Sequence, residues 1–170
     1  MTARLGLMAM VLLTALLLDT VVLPGLSVAG WRPGLVILSV VAFALADGRE
    51  TGACYGFAAG LVTDLLAVGD SVVGLWALVL LGVGYGVGRI RPYLAGTAAF
   101  GEIAVSGLAT ACALTLYGLA ALLLDREPFS LVDALRAAVV VGLFNGLLAP
   151  LLVRPVRALS RRVGASLTGA

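Results

Sequence analysis

The chain has 170 residues, of which 62% are hydrophobic and 12% are charged, and its mean hydropathy is +1.15. This composition excludes a soluble globular domain, which could not cover so much apolar surface, and predicts an integral membrane protein. All eleven basic residues are arginines and the net charge is +2. The lack of histidine removes the commonest general base and neutral metal ligand from the candidate chemistry.

Apolar runs of roughly membrane-crossing length predict an all-α fold with six transmembrane helices in a single domain, residues 1–153. The first run also resembles a signal peptide, with Ser27-Val28-Ala29 as a cleavage site, but its length favours a retained helix. The second run is short and needs part of the preceding loop to cross. The predicted spans are residues 5–23, 34–46, 52–68, 71–88, 97–124 and 135–153.

Residues 154–170 form a basic tail in which arginines alternate with apolar residues at helical intervals. This pattern predicts either an amphipathic segment on anionic lipid or a frayed tail that only fixes the topology. With six spans, eight arginines fall on the side of the two termini and three (Arg32, Arg126 and Arg136) on the other side. The positive-inside rule therefore predicts that both termini are cytoplasmic.

The third span contains a strip of glycines four residues apart, at Gly52, Gly56 and Gly60, with Asp64 one turn further on. Gly84 and Gly88 repeat this spacing in the fourth span, after a polar break that ends at Gly74. Such strips let two helix backbones approach closely. They predict a helix-packing surface or a partner interface, and the sequence leaves open which of the two each strip forms.

Four polar residues inside the predicted spans need an explanation: Asp19, Asp64, Glu102 and Asn145. A carboxylate in an apolar helix costs roughly 2.5–3.5 kcal/mol at mid-bilayer, so each should face protein or water. Asp19 and Asp64 share a depth near the outer face, where they either cap loop amides or contact a neighbouring or partner helix. Glu102 lies level with the arginines that end the fourth span, which predicts a salt bridge or an interfacial position. Asn145 predicts a hydrogen bond across a helix interface.

Asp47-Gly48 followed by Gly60-x-x-x-Asp64 resembles part of the metal-binding signature of the CDP-alcohol phosphotransferases. Ala44 and Val68 stand where that signature requires two further acids, so half of the ligands are missing. No complete set of catalytic residues is found elsewhere in the sequence either. The sequence thus predicts a protein that is not an enzyme, with no cofactor, no metal and no nucleic-acid partner.

Cys54 and Cys112 both lie in apolar runs. We interpret them as packing residues rather than as a disulfide pair.

The run Gly-x-x-x-Gly-Leu-Val-x-Asp-Leu-Leu from Gly56 to Leu66 precedes Gly74, an apolar span and Gly84-Tyr85-Gly86-Val87-Gly88. The last span contains Asn145-Gly-Leu-Leu-Ala-Pro150 and is followed by the basic tail. In order and spacing these features resemble the rod shape-determining protein MreD family, over nearly the whole chain.

The resemblance implies a six-helix fold similar to the substrate-binding components of energy-coupling-factor transporters. It also implies a non-enzymatic role in the bacterial cell-elongation machinery, at the inner (cytoplasmic) membrane. The implied partner is an MreC-like single-span protein. A RodA-like glycosyltransferase, a class B penicillin-binding transpeptidase and actin-like MreB complete the larger assembly.

The alternative function is a substrate-binding membrane component of a vitamin-uptake transporter. Such a protein needs a polar or aromatic ligand pocket on its outer side, and the outward loops offer few suitable groups. It also needs a small-residue pair four apart on the first helix, whereas Ala3, Ala9 and Ala15 are six apart.

Overall fold

The computed structural model describes residues 2–22, 33–66, 74–94, 98–124 and 131–168. These residues form six α-helices, and each predicted span overlaps one of them, so the predicted all-α fold with six helices is confirmed for the described part of the chain. A π-helical turn, Leu18–Val22, extends the first helix, and a 3-10 turn, Arg91–Leu94, follows the fourth. The helices are α1 (Thr2–Leu17), α2 (Leu35–Asp47), α3 (Arg49–Leu66), α4 (Leu75–Ile90), α5 (Ala98–Leu123) and α6 (Leu131–Thr168).

Among the described residues, three helical segments are both long and apolar enough to cross a membrane: Ala3–Val21, Phe100–Leu123 and Leu135–Arg162. Together with the composition they identify an integral membrane protein. α2 is apolar but has only 13 residues, which gives a length of about 20 Å. That all six helices span the membrane stays a prediction.

α2 forms the centre of the bundle, and every residue from Leu35 to Leu45 is buried. From Leu35 to Leu45 its sequence is apolar on all sides except for Ser39, and a helix that is hydrophobic all round is stable only when surrounded by other helices. The Ser39 hydroxyl donates to the carbonyl of Val36 at 2.7 Å and accepts a hydrogen bond from the Tyr55 hydroxyl at 3.1 Å. The ring of Tyr55 lies 4.4 Å from that of Phe43. These contacts fix α3 against α2.

Contacts at the two ends of α2 set the helix directions. Arg4 of α1 lies 3.3 Å from Asp47, and Asp19 binds the amide of Leu35, so α1 runs antiparallel to α2. α6 runs parallel to α2, because Asn145 binds Gly34 and the Ser160 hydroxyl donates to Asp47 at 2.6 Å.

α3, α4 and α5 alternate in direction in the same way. We call the end that contains Asp47 the arginine end and the end that contains Gly34 the capped end. The arginines assigned to the arginine end by their helices are Arg4, Arg49, Arg89, Arg91, Arg154, Arg157, Arg161 and Arg162.

α3 and α4 form an antiparallel pair in direct backbone contact. A Cβ atom at Gly52 would lie 2.6 Å from the carbonyl oxygen of Gly84, and one at Gly56 would collide with the carbonyl of Leu80. Gly60 faces the backbone at Trp76 in the same way. Real Cβ atoms do not approach backbone so closely, so only glycine permits this spacing.

The connection between α2 and α3 also depends on a glycine. Gly48 has φ of 96°, the left-handed region that residues with a side chain rarely adopt. This single residue lets α3 begin at Arg49 directly after α2 ends. The connection between the two helices is therefore a one-residue reversal.

α6 continues through Pro150 and Pro155 to Thr168, so the described part of the predicted basic tail is helical. Val156 and Ser160 are buried, so the first part of the predicted tail packs in the bundle. The continuation has a physical reason, because Ser160 binds Asp47 and the neighbouring Arg157 binds Glu102. The connections between the first and second, third and fourth, and fifth and sixth predicted spans lie mostly outside the described residues.

The close α3–α4 contact generates a prediction with a matched control. Gly56→Ala places a methyl group against the Leu80 backbone, and we expect it to lower the free energy of unfolding by about 1–3 kcal/mol, as overpacking does. Gly82→Ala is the control, because no atom lies within 4 Å of a Cβ there, and it should be neutral or stabilising by up to about 1 kcal/mol. The measurement is thermal unfolding in detergent. Equal loss of stability in both variants would contradict the packing described.

Candidate functional site

Asp64 caps the start of α4. Its side chain is buried, and its carboxylate accepts hydrogen bonds from the amides of Gly74 at 2.9 Å, Ala77 at 3.2 Å and Trp76 at 3.4 Å. Gly74 itself has φ of 98° in the left-handed region, which positions its N–H toward the acid. An anion is favoured at a helix N-terminus, because the first amides lack partners within the helix. Asp64 therefore has a structural role as the N-terminal cap of α4.

Asp19 makes the equivalent contact with α2. Its two carboxylate oxygens accept from the amides of Leu35 at 3.0 Å and Val36 at 3.1 Å. Asp19 and Asp64 therefore share one arrangement, in which an acid near the end of one helix caps the next helix. The hydrogen bonds agree with the interpretation of both acids as caps of backbone amides.

Asn145 of α6 also binds at the start of α2. It is fully buried, its Oδ1 accepts from the Gly34 amide at 3.1 Å, and its Nδ2 donates to the Gly34 carbonyl at 3.0 Å. Nδ2 also donates to the Thr110 hydroxyl of α5 at 3.0 Å. The sequence predicts a hydrogen bond across a helix interface, and the structure shows that one side chain links α2, α5 and α6. Thr110 and Gly34 carry no sequence signal that identifies them as its partners.

Glu102 has different partners from those its position predicts. The sequence places it level with the arginines at the end of the fourth span, but its carboxylate pairs with Arg157 at 2.7 Å and Arg154 at 3.6 Å. The reason is the antiparallel α5–α6 pair, which sets residue 102 opposite the second half of α6. The Glu102 side chain is only 13% exposed, so this ion pair ties α6 to the bundle rather than forming a surface contact.

The glycine strips that the sequence proposes as packing or partner surfaces face the inside of the chain. Gly52, Gly56 and Gly60 meet α4, while Gly84 meets Gly52 and Gly88 meets Arg49. Leucine at these positions would force α3 from α4 before it affected any partner. The remaining proposed interface residue, Pro150, is half-buried within α6, between the buried Ala149 and an exposed Leu151.

A second pair of glycines on α4, Gly82 and Gly86, faces outward. No atom lies within 4 Å of a Cβ built at either position. They form one wall of an apolar groove of about 370 Å³ between α4 and α5. We call it the α4–α5 groove, and its other residues are Val83, Val87, Ile90, Val105, Leu108, Ala109, Cys112 and Leu116.

The two cysteines are free and exposed on the outside of the bundle, Cys54 on α3 and Cys112 in the α4–α5 groove. Their interpretation as packing residues is therefore wrong for this fold, because both side chains point away from the core. Within the described residues, no three His, Cys, Asp or Glu side chains form a group that could hold a metal ion.

Together these features define a class: an integral membrane protein of six helices whose buried polar side chains hold its own helices in place. The sequence matches the family of the rod shape-determining protein MreD over residues 2–163. The chain therefore belongs to the MreD family and has a role in rod shape determination. Neither a curated protein nor a solved structure matches it.

The cap at α4 generates the second prediction. Asp64→Ala leaves three amides at the start of α4 without their acceptor, and we expect a loss of about 1–3 kcal/mol in unfolding free energy. Asp64→Asn retains one acceptor oxygen and should be intermediate. Hydrogen exchange at Gly74–Ala77 should accelerate in the same order. Glu50→Ala is the control, since the Glu50 side chain is 87% exposed, and an Asp64→Ala protein as stable as this control would contradict the assignment.

Proposed function

We propose that the chain is a non-enzymatic membrane adaptor of the bacterial cell-elongation machinery, which supports cell shape and peptidoglycan synthesis by binding an MreC-like single-span protein. The family match supports the setting. The contacts of three acids support the non-enzymatic part of the proposal. Asp19, Asp64 and Glu102 are all engaged in contacts that hold helices together. A RodA-like glycosyltransferase and a class B penicillin-binding transpeptidase belong to the same proposed assembly.

The proposed topology places the arginine end in the cytoplasm and all six helices across the inner membrane. Eight arginines belong to that end, whereas Arg136 is the one described arginine toward the capped end. The positive-inside rule then orients the bundle with both chain ends in the cytoplasm.

Anionic lipid is a further proposed partner at the arginine end. Arg154 and Arg157 are paired with Glu102, so lipid contact falls mainly on Arg161 and Arg162, which are exposed. A basic helical segment at the membrane surface attracts anionic headgroups by about 1 kcal/mol per arginine.

We propose the α4–α5 groove as the docking surface for the partner helix. The glycines at 52, 56, 60, 84 and 88 are already used within the chain, whereas Gly82 and Gly86 have the same four-residue spacing on an open face. In a membrane, helices associate by close packing at small residues, because lipid gives no hydrophobic force between them. From Gly82 to Ile90 the groove runs about 12 Å along α4, which is two turns of a docked helix.

The test replaces a groove glycine and measures partner recovery. Gly86→Leu fills the groove, and we expect it to lower co-purification of the MreC-like protein of the same bacterium about tenfold, equivalent to about 1.4 kcal/mol. Gly6→Leu is the matched control, because Gly6 is also a helical glycine with no atom within 4 Å of a Cβ and lies near the same end of the bundle. Both variants should keep the unfolding temperature of the wild type.

Native cysteines give an independent readout of the same contact. The partner is made as a series of variants, each with one cysteine at a successive position of its membrane helix. Every third or fourth variant should form a disulfide with Cys112, and none should form one with Cys54. Normal recovery of the partner with Gly86→Leu and Gly82→Leu, or crosslinks to Cys54 instead, would remove the groove from the proposal.

The runner-up, a vitamin-uptake component sharing the fold of energy-coupling-factor transporters, stays a prediction. It requires a ligand pocket at the capped end.

A further inference from the structure

The bundle contains a cavity of about 510 Å³ at its capped end, on which all six helices border. It is separate from the α4–α5 groove, and its volume lies in the range of small-ligand sites. One lining residue from each helix in turn is Leu16, Val36, Thr63, Trp76, Leu114 and Val141.

The cavity exists because the central helix is short. Asn145 of α6 lies opposite Gly34, where α2 is about to begin, yet α6 starts at Leu131. About four turns of α6 therefore extend beyond the start of α2. The longer outer helices border the space that α2 does not fill, which is partly open, and the capped start of α2 forms its floor.

The lining leaves little for a polar ligand to bind. The hydroxyl of Thr20 donates to the carbonyl of Leu16 at 2.7 Å, and that of Thr63 donates to the carbonyl of Ala59 at 2.9 Å. The Asp19 carboxylate accepts two amides of α2. A polar ligand would lose its hydration here without equivalent hydrogen bonds, whereas an apolar ligand would not.

The aromatic wall of the cavity is held in one orientation. Trp76 of α4 stacks on Tyr117 of α5, with ring centroids 4.3 Å apart and planes 18° apart. A fixed ring face beside aliphatic side chains such as Leu80 and Val141 offers a preformed apolar surface.

We propose that this cavity binds one hydrocarbon chain, either the acyl chain of a phospholipid or an isoprenyl chain. The bound chain contacts all six helices and stabilises the bundle by filling the space over α2. This inference goes beyond the proposed adaptor function and does not depend on it.

The test measures thermal unfolding of the full chain in a steroid-based detergent, because alkyl-chain detergents would occupy the cavity themselves. The probes are dodecanol for an acyl chain, farnesol for an isoprenyl chain, and thiamine and riboflavin for vitamins. When the concentration of a hydrocarbon probe is about 100 times its dissociation constant, its binding should raise the unfolding temperature by about 5–10 °C. The hydrocarbon with the larger shift identifies the source.

Two valines on α6 provide matched variants. Val141 lines the cavity and is buried, whereas Val139 is 61% exposed. Val141→Phe should occupy part of the cavity and reduce the shift, while Val139→Phe should keep it. If Val141→Phe does not fold, Ala137→Leu, on the same wall, takes its place.

Native mass spectrometry of the wild-type protein should also show one retained lipid, which a smaller fraction of the filling variant retains. The proposal is overturned if neither hydrocarbon shifts the wild type, if the filling variant responds like the wild type, or if only a vitamin gives a shift. The last result would favour transport.

Discussion

The structure depends on the start of α2, a buried helix N-terminus held by two side chains from opposite sides. The first amides of any helix lack partners within it, and away from water each such amide costs stability unless another group accepts it. Asp19 accepts the amides of Leu35 and Val36, and Asn145 pairs with both backbone groups of Gly34. Because α2 touches all the other helices, fixing its start fixes the bundle around it. At its other end, Asp47 is held by α1 and α6 in a similar way.

α4 has glycines on two faces, and only one of these faces is used within the described fold. Gly84 and Gly88 face α3 and permit backbone contact, while Gly82 and Gly86, two residues out of phase, face outward into the α4–α5 groove. A two-residue offset turns a helix position by about 200°, so the two glycine pairs lie on nearly opposite faces. Gly84 and Gly88 pack against α3, so the close-packing surface that the sequence predicts in the third span is already occupied within the chain. The outer pair is the surface that remains for the proposed partner helix.

Much of this fold can be predicted from the sequence, and the failures have physical causes. Hydropathy locates all six helices, and an acid one turn before a loop, at Asp19 and Asp64, is a usable signal for a cap on the next helix. The partners of Glu102 cannot be predicted in this way, because they depend on which helices pair in space. The two glycine faces of α4 have identical spacing, so sequence cannot tell the inner one from the open one. The continuation of α6 past Pro150 depends equally on tertiary contacts, which override the sequence signal for a helix end.

Hydrogen exchange of the doubly substituted protein Asp19→Ala/Asn145→Ala tests the central claim most directly. In the wild type, the amides from Val36 to Leu45 should be the slowest to exchange in the described chain, because they lie in the fully buried helix. In the double variant the account predicts faster exchange throughout α2 and also in α3 and α6, since the helices that pack on α2 lose their common support. Faster exchange confined to residues 34–36, with α3 and α6 unchanged, would contradict it.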